Sequence, residues 1–544
     1  MILRDYQKAA VEATLREWQS VVSTLVVMPT GVGKTICFAD VIRRRFPGRT
    51  LVLAHRQELI HQAVDKISRT TGLSTGIEMA EYRVDMTPGL LDMPTVVVTT
   101  VQTQTAGGDG GGRLAKFNPS VFDTIIVDEA HHAPAASYRR ILEYYKANPR
   151  GRILGVTATP DRADEQALGQ VYESVAYDYE ITDAIRDGWL VPIEQRVVEV
   201  EGLDFSGVRT TAGDLNGADL AQVLEAERNL HAIAAPAIDM LGSRRAIVFC
   251  ASVAQAERLA EIMNRHRTGM AGWVCGKTTN EARRRLLAAF SGREIQVVCN
   301  CGVLTEGFDD PGVEVVIMGR PTKSRALYAQ MIGRATRPLP GIVDGQPAPE
   351  LRRAAIAGSA KRCCEVIDFA GNSGRHKLMT TADILGGKYP DETIEEARLV
   401  VQRSAKPVNM DELLAKIEAE MEKKRQADAA QRMRLVARAR WTVQPVSPFD
   451  AFALTPARQR GWHEGKALSE KQRNLLVKQG IDPDGMPFAQ AKQLLSEVFR
   501  RWDAGLCSFK QARILKQRGI DATNMSREDA SHALDALFGG RRNA

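Results

Sequence analysis

The sequence lacks the features of a membrane protein or a secreted protein. No run of about 18 apolar residues occurs in its 544 residues, so we expect no membrane span. The opening residues, MILRDYQKAA, do not have the basic-then-apolar pattern of a signal peptide. The eight cysteines include no C-x-x-C pair. We therefore expect buried thiols, no zinc site and a reducing, cytoplasmic location.

The sequence also lacks a strong excess of either charge. A formal net charge of +7 is compatible with a polyanionic partner, but it does not distinguish a nucleic-acid-binding protein from other proteins. At roughly 150 residues per domain, the length suggests three or four domains.

Short apolar runs without strict alternation are the most regular feature of the first 375 residues. Five such runs are separated by loops and helical patterns, and they read TLVVM, TLVLA, TVVVT, TIIVD and RILGV. Four more follow from about Arg245, and they read AIVFC, IQVVC, VEVVIM and CEVIDF. Such runs are typical of strands buried on both faces of a parallel sheet with helices crossing between them. The sequence therefore predicts two tandem α/β domains.

The C-terminal part has a different composition. Residues 411–440 are highly charged and contain no glycine or proline, which predicts a long exposed helix, and a short linker follows. The tail then contains a repeat at an offset of 39 residues, SEKQRNLLVKQGID from Ser469 and SFKQARILKQRGID from Ser508. Each copy predicts a helix, a glycine stop, a turn and a second helix. A module that docks DNA or protein and a simple stabilising cap both remain open.

The stretch TLVVMPTGVGKT predicts a strand, a phosphate-binding loop and a helix. Gly31 and Gly33 allow backbone N–H groups to converge on phosphate oxygens at the helix N-terminus. Lys34 is expected to reach the β- and γ-phosphates, and Thr35 to offer a hydroxyl to Mg²⁺. Met28 stands where the strict pattern has a glycine, so the match is complete except at that position.

The stretch IIVDEAHH begins as a buried strand and ends in two acids and two histidines. In a P-loop fold Asp128 is expected to hold Mg²⁺, and Glu129 to orient or deprotonate the attacking water. A metal bound by both histidines is disfavoured because neighbouring residues of a regular strand or helix do not converge on one ion.

Taken together, the motifs resemble those of superfamily 2 DEAH-box helicases and translocases, in order, over roughly residues 1–375. The matching segments are LRDYQ, MPTGVGKT, LVLAHRQELIHQ, VVVTTVQT, IIVDEAHH, GVTATP, AIVFCAS, LTEGFD and QMIGRATR. The resemblance implies two tandem RecA-like P-loop domains with parallel sheets, followed by an α-helical C-terminal region. We place the domains at 1–175 and 242–375, with a connecting segment at 176–241, a charged helix and linker at 376–460, and the repeated tail at 461–544.

The resemblance implies roles for residues of both domains. Arg334 and Arg337 match the arginine fingers and join Lys34, Asp128 and Glu129 as catalytic residues. The expected nucleotide-binding residues are Arg4, Gln7, Thr30, Gly31, Val32, Gly33, Lys34, Thr35, Gly307 and Asp309. The expected coupling residues are His131, Thr157, Thr159 and Gln330. The expected DNA contacts are His55, Arg56, Thr99, Gln102, Thr103 and Thr305.

Within that superfamily the chain is most similar to the branch that contains RadD, the XPB-type translocases, the phage UvsW-type helicases and restriction motor subunits. It lacks the cysteine-rich zinc module of RadD-type proteins, and a phage origin fits this difference. The resemblance implies an ATP- and Mg²⁺-dependent helicase or translocase acting on single-stranded or branched DNA in repair, recombination or replication. Two alternatives stay open, a motor subunit of a nuclease or restriction complex and an ATP-gated DNA clamp with little turnover. The tail is a candidate docking site for a nuclease or a replication or repair protein.

Overall fold

A computed structural model gives the fold of the chain. It describes residues 3–54, 57–79, 82–84, 93–107, 113–158, 162–211, 213–305, 307–374, 376–387, 389–404, 406–436 and 447–538. Two compact units are present, one formed by residues 1–164 and 170–419, the other by residues 165–169 and 420–544. Among the helices that the structure describes, none is both long and apolar enough to cross a bilayer.

The first domain contains a seven-stranded sheet in which every neighbouring pair is parallel. Its strands are β1 (Ser23–Val27), β2 (Thr50–Ala54), β3 (Thr75–Glu78), β4 (Val96–Thr100), β5 (Thr124–Asp128), β6 (Arg152–Thr157) and β7 (Ser174–Asp178). The order across the sheet is β3-β4-β2-β5-β6-β1-β7. The helices of this part are α1 (Asp5–Glu17), α2 (Lys34–Arg45), α3 (Gln57–Thr71), α4 (Val101–Thr105), α5 (Ala136–Lys146), α6 (Arg162–Val171) and α7 (Ile181–Arg186).

The second domain contains another seven-stranded sheet in the order β12-β13-β11-β14-β15-β8-β16. Its strands are β8 (Ile193–Asp204), β11 (Ala246–Cys250), β12 (Ala271–Cys275), β13 (Val297–Cys301), β14 (Val315–Gly319), β15 (Cys364–Asn372) and β16 (Val408–Asn409), and a small hairpin pairs β9 (Thr210–Thr211) with β10 (Asp214–Leu215). All pairs in the large sheet are parallel except β16 with β8. The helices are α8 (Gly217–Leu224), α9 (Glu227–Leu241), α10 (Val253–His266), α11 (Asn280–Ser291), α12 (Arg325–Ile332), α13 (Pro349–Ala357), α14 (Thr381–Leu385), α15 (Asp391–Arg403) and α16 (Met410–Val436).

The predicted fold class is confirmed, since each of the nine apolar runs overlaps a strand of one of the two parallel sheets. Strand β5, which carries the first acid of the DEAH motif, is buried over Thr124–Val127. The segment assigned as a connection, 176–241, contributes to both sheets, because β7 extends to Asp178 and β8 lies between β15 and β16.

The second unit is helical and contains both copies of the repeat. It contains α16 from residue 420 onward, together with α17 (Pro448–Phe452), α18 (Glu470–Gln479), α19 (Phe488–Asp503), α20 (Phe509–Gln517) and α21 (Arg527–Phe538). The two copies begin with the same capping box, Ser469 with Gln472 and Ser508 with Gln511. Both helical pairs, together with α17, contribute to one hydrophobic core. Helix α17 lies where the sequence suggested a linker.

Candidate active site

The phosphate-binding loop joins β1 to α2 as the sequence predicts. Gly31 and Gly33 have positive φ angles of 96° and 85°, a conformation that favours glycine. Met28 is fully buried, and its backbone N–H donates to the carbonyl of Thr157 at 2.9 Å. The missing glycine at position 28 therefore does not disturb the loop, because Met28, directly after β1, still hydrogen-bonds to the end of β6 instead of turning.

The DEAH acids lie where β5 ends, beside this loop. Glu129 adopts a left-handed conformation with φ of 50°, which is uncommon for a residue other than glycine. The Asp128 Oδ1 atom accepts a hydrogen bond from the Glu129 backbone N–H at 3.0 Å. Lys34 Nζ lies 3.2 Å from Glu129 Oε1, and both side chains are nearly buried. The turn thus directs the second acid toward the P-loop lysine.

The charge state of Glu129 is set by its neighbours. Burial is the largest single influence and raises the pKa of this carboxyl, whereas the charge of Lys34 and its hydrogen bond lower the pKa. His131 and Arg334 lower the pKa further, so it lies below its usual range and the group is ionised. Glu129 Oε2 is buried and has no hydrogen-bond partner among the described residues. An ionised oxygen of this kind can accept a hydrogen bond from a water molecule.

His131 links the acid to motif III. Its Nδ1 atom lies 3.1 Å from Thr157 Oγ1 and 3.5 Å from Glu129 Oε2. Two residues assigned to coupling are therefore in contact with each other and close to the acid. Thr159, the third motif III assignment, lies outside the described residues. His132 stands in the 3₁₀ turn Ala130–His132, with its ring centroid 4.1 Å from that of His131.

Motif VI of the second domain contacts the P-loop directly. A Cβ atom placed on Gly333 would lie 2.7 Å from Thr30 Cβ, so only a glycine permits this approach. A Cβ atom on Gly31 would lie 3.3 Å from Arg337 Cγ, which puts the Arg337 side chain along the loop. Arg337 also forms an ion pair with Asp309 of motif V. The structure thus brings together both sides of the predicted catalytic set.

Arg334 connects Glu129 to motif V. Its guanidinium donates to the carbonyls of Phe308 and Thr305, each at 2.7 Å, and its charge lowers the pKa of Glu129. Gly307, between these carbonyls, has a φ of 73°. Gln330, the remaining coupling assignment, is buried in α12.

The N-terminal LRDYQ motif is hydrogen-bonded to the P-loop. Gln7 Nε2 and Tyr6 Oη both donate to the carbonyl of Val32, at 3.0 Å and 2.8 Å. Gln7 Oε1 accepts from the backbone N–H of Arg4 at 3.0 Å. Gln7 and Arg4 are therefore fixed relative to the loop, as residues that read a bound base need to be.

An aromatic and guanidinium cluster beside this motif was missed by sequence reasoning. The guanidinium carbons of Arg4 and Arg352 lie 4.2 Å and 4.0 Å from the Trp189 ring centroid. Tyr6 meets the same ring edge-on at 5.8 Å. Arg4 also pairs with Asp344 at 3.2 Å, which again joins the first domain to the second. Tyr6 stands in the LRDYQ segment, but only the fold shows that Trp189 and Arg352 meet beside it.

The predicted DNA contacts differ in their accessibility. Thr99 and Thr103 are buried, and their side chains are hydrogen-bonded within the first domain. Gln102, between them in α4, is exposed. Thr305 is buried and presents its carbonyl to Arg334. His55 and Arg56 lie outside the described residues.

The candidate magnesium ligands are oxygen atoms at adjoining element ends. Thr35 is in the first turn of α2, and Asp128 is the last residue of β5. Mg²⁺ prefers oxygen ligands and is commonly held by one or two protein groups together with substrate phosphates. The described ranges contain no cluster of three or more His, Cys, Asp or Glu side chains suited to a metal.

Comparisons with known proteins agree with this arrangement. Residues 1–162 match the family described as "Type III restriction enzyme, res subunit", and residues 231–338 match "Helicase conserved C-terminal domain". The IRC3 helicase of Saccharomyces cerevisiae is 29% identical over 436 residues, which are 76% of this chain and 58% of that protein. The type I restriction enzyme EcoAI endonuclease subunit of Escherichia coli is 25% identical over 378 residues, 61% of this chain and 44% of that protein.

Among solved structures, the ATP-dependent type ISP restriction-modification enzyme LlaBIII bound to DNA has a TM-score of 0.50 at 17% identity. The match covers 68% of this chain and 28% of that one, and at this identity it shows the fold alone. The chain spans about three fifths of the length of the first curated relatives that it matches.

Proposed function

We propose that the chain is a superfamily 2 helicase, with restriction-enzyme motor subunits among its relatives, and that it works as an ATP-hydrolysing motor on DNA. The observation that carries the proposal is the contact of motif VI with the P-loop, where Gly333 packs on Thr30 and Arg337 lies along Gly31. A site completed by a second domain couples hydrolysis to the arrangement of the two domains.

The charges around the loop account for the chemistry. A triphosphate held by the backbone N–H groups of the loop would compete with Glu129 for Lys34, because both are anionic. Phosphoryl transfer spreads charge over the γ-phosphate oxygens and requires positive charge directed at them. Arg337 and Arg334 supply that charge from the second domain. Because the pKa of Glu129 is lowered, we propose that Glu129 orients the attacking water through a hydrogen bond.

Magnesium fits the same site. Thr35 and Asp128 would hold the ion, which supplies neutralisation of phosphate charge when bound. Asp128 also accepts the Glu129 N–H, so one carboxylate anchors the turn that places the other.

A path from ATP toward DNA runs through Arg334. Its guanidinium is hydrogen-bonded to Thr305 and influences the charge of Glu129. Thr305 is a predicted DNA contact, so a shift of motif V on DNA would move an arginine of the active site. Of the predicted contacts that the structure describes on the first domain, Gln102 is exposed and could meet a DNA strand. We propose single-stranded or branched DNA as the substrate, in repair, recombination or replication, and a cytoplasmic location.

The experiment that tests this function is a steady-state ATPase assay. The wild type is measured without DNA and with single-stranded, duplex and forked DNA. We expect stimulation by DNA, and the preferred form identifies the substrate. Hydrolysis that is absent, or the same with and without DNA, contradicts the motor. Slow turnover at saturating DNA would instead support the ATP-gated clamp.

The similarity to a type I restriction endonuclease subunit favours one second candidate, the motor subunit of a nuclease complex. In that case a nuclease or another replication or repair protein would bind through the tail. Co-purification of a nuclease subunit with the full chain tests this candidate, and isolation of an active chain alone argues against it.

A further inference from the structure

The helical tail carries an exposed aromatic pair near the end of α19. Phe499 and Trp502 are 49% and 47% exposed, and their ring centroids lie 5.6 Å apart at an interplanar angle of 84°. Trp502 has no aromatic counterpart in the second copy of the repeat, where Arg541 occupies the position 39 residues later. The repeat fold therefore does not by itself require a tryptophan here.

A cavity of about 250 Å³ adjoins Trp502. Its lining residues are Gln479, Trp502, Gly505, Leu506, Ser508 and Arg527. Pockets that enclose a drug-sized ligand measure roughly 300–1,000 Å³ and are mostly apolar. This cavity is smaller, and it combines one aromatic ring with several hydrogen-bonding groups. Such a lining suits a single nucleobase better than the apolar anchor of a protein partner.

The cavity is held in shape by a buried arginine. Arg501 Nε donates to the carbonyl of Cys507 at 2.8 Å, and one of its terminal nitrogens donates to Thr523 at 2.7 Å. The Arg527 N–H donates to the Gly505 carbonyl at 3.0 Å, across the cavity wall. These bonds tie the loop after α19 to the start of α21, so the site is preformed.

Two positively charged side chains beside the cavity, Arg527 and Lys510, can bind an anion. The Arg527 guanidinium and the Lys510 ammonium make no hydrogen bond or ion pair with any described residue. The Lys510 side chain lies against Gly480, next to the lining residue Gln479. Asp503 and Glu528 are adjacent in sequence to lining residues, so we expect few phosphate contacts, about two.

We propose that this cavity binds one unstacked nucleotide of a DNA single strand, with its base on Trp502 and its phosphates at Arg527 and Lys510. Aromatic stacking with a positive flank is the usual way in which proteins hold single strands without reading their sequence. The proposal rests on the proposed function, since it supplies the motor with a second hold on DNA.

The test measures binding by the full chain to a labelled oligothymidine of about 20 nucleotides, by fluorescence anisotropy without ATP. We expect Trp502→Ala to weaken binding about 5- to 150-fold, the range of one lost base–aromatic stack. Trp502→Phe keeps a ring and should retain most of the affinity. Arg527→Gln should reduce the slope of log K against log salt by about 0.7.

Leu537→Ala is the matched control. Leu537 is another exposed apolar residue of the tail, on α21 about 15 Å from Arg527 along the helix. Its substitution should leave the affinity unchanged. A DNA strand without bases provides a second control. The wild type and Trp502→Ala should bind this strand with equal affinity.

Each outcome decides the proposal. Unchanged single-strand affinity in folded Trp502→Ala overturns it, as does an equal loss on blunt duplex DNA, where no unstacked base is available. The ATPase assay separates this failure from failure of the motor. If DNA stimulates ATP hydrolysis by the wild type but Trp502→Ala binds single strands with unchanged affinity, only the tail site is contradicted. If DNA does not stimulate hydrolysis by the wild type, the motor function itself is contradicted.

Discussion

Replacing Gly333 with alanine is expected to separate the two α/β domains where motif VI contacts the phosphate-binding loop. The added Cβ atom would lie 2.7 Å from Thr30 Cβ, whereas non-bonded carbons prefer about 3.5–4.0 Å. Relief of that overlap requires a displacement of about 1 Å between motif VI and the loop. A misplacement of that size can reduce a catalytic rate about 10²-fold. We therefore predict a loss of about 10²-fold in kcat for DNA-stimulated ATP hydrolysis.

Backbone strain at position 333 would not be the cause of this loss of activity. Gly333 has φ of −59° and ψ of −16°, angles that alanine adopts readily. Gly358 is a matched control, because it also follows a helix of the second domain with helical angles, and an added Cβ would lie 3.5 Å from the nearest atom. Gly358→Ala should keep normal turnover. Near-normal kcat in Gly333→Ala, with folding checked by circular dichroism, would refute the reasoning.

Two further predictions concern the aromatic cluster at Trp189 and Asp368, an acid of β15. Trp189→Leu removes the ring over which Arg4 and Arg352 lie, and each of these cation–π contacts is worth about 0.5–2 kcal/mol. The KM for ATP should therefore rise about tenfold, with little change in DNA affinity. An unchanged KM would contradict a role of this cluster in ATP binding. Burial raises the pKa of Asp368 from 3.8 to about 6. The contribution of this carboxyl to the stability of the folded state is therefore fully present below pH 3.8 and is lost as the pH rises through 6. Urea unfolding should therefore show Asp368→Asn to be more stable than wild type by about 3 kcal/mol near neutral pH, with the difference shrinking toward pH 4; a constant difference contradicts it.

The central strands of both sheets could be predicted because they are buried on both faces. That burial selects continuous runs of valine, isoleucine and leucine, which the sequence shows directly. Strands β3 and β8 were missed for the opposite reason. Strand β3 is mostly half-buried, and β8 alternates irregularly between buried and exposed residues, so neither forms a continuous apolar run.

The local parts of the site were predictable, whereas its interdomain parts were not. Lys34 and Glu129 stand in short motifs whose chemistry can be read from neighbouring residues. Trp189 and Arg352 are separated by more than 160 positions, and no spacing rule joins them. The contact of Gly333 with Thr30 likewise depends on how two folded domains meet, although the resemblance indicated that both segments belong to one site.

The most direct test of the account compares ATP hydrolysis by wild type and Glu129→Gln, with and without DNA. An ionised Glu129 would orient the attacking water, so the amide variant should still bind ATP while its DNA-stimulated turnover falls by about 10²-fold or more. Wild-type turnover should rise on addition of DNA. Normal turnover in Glu129→Gln, or wild-type hydrolysis that does not respond to DNA, would contradict the account.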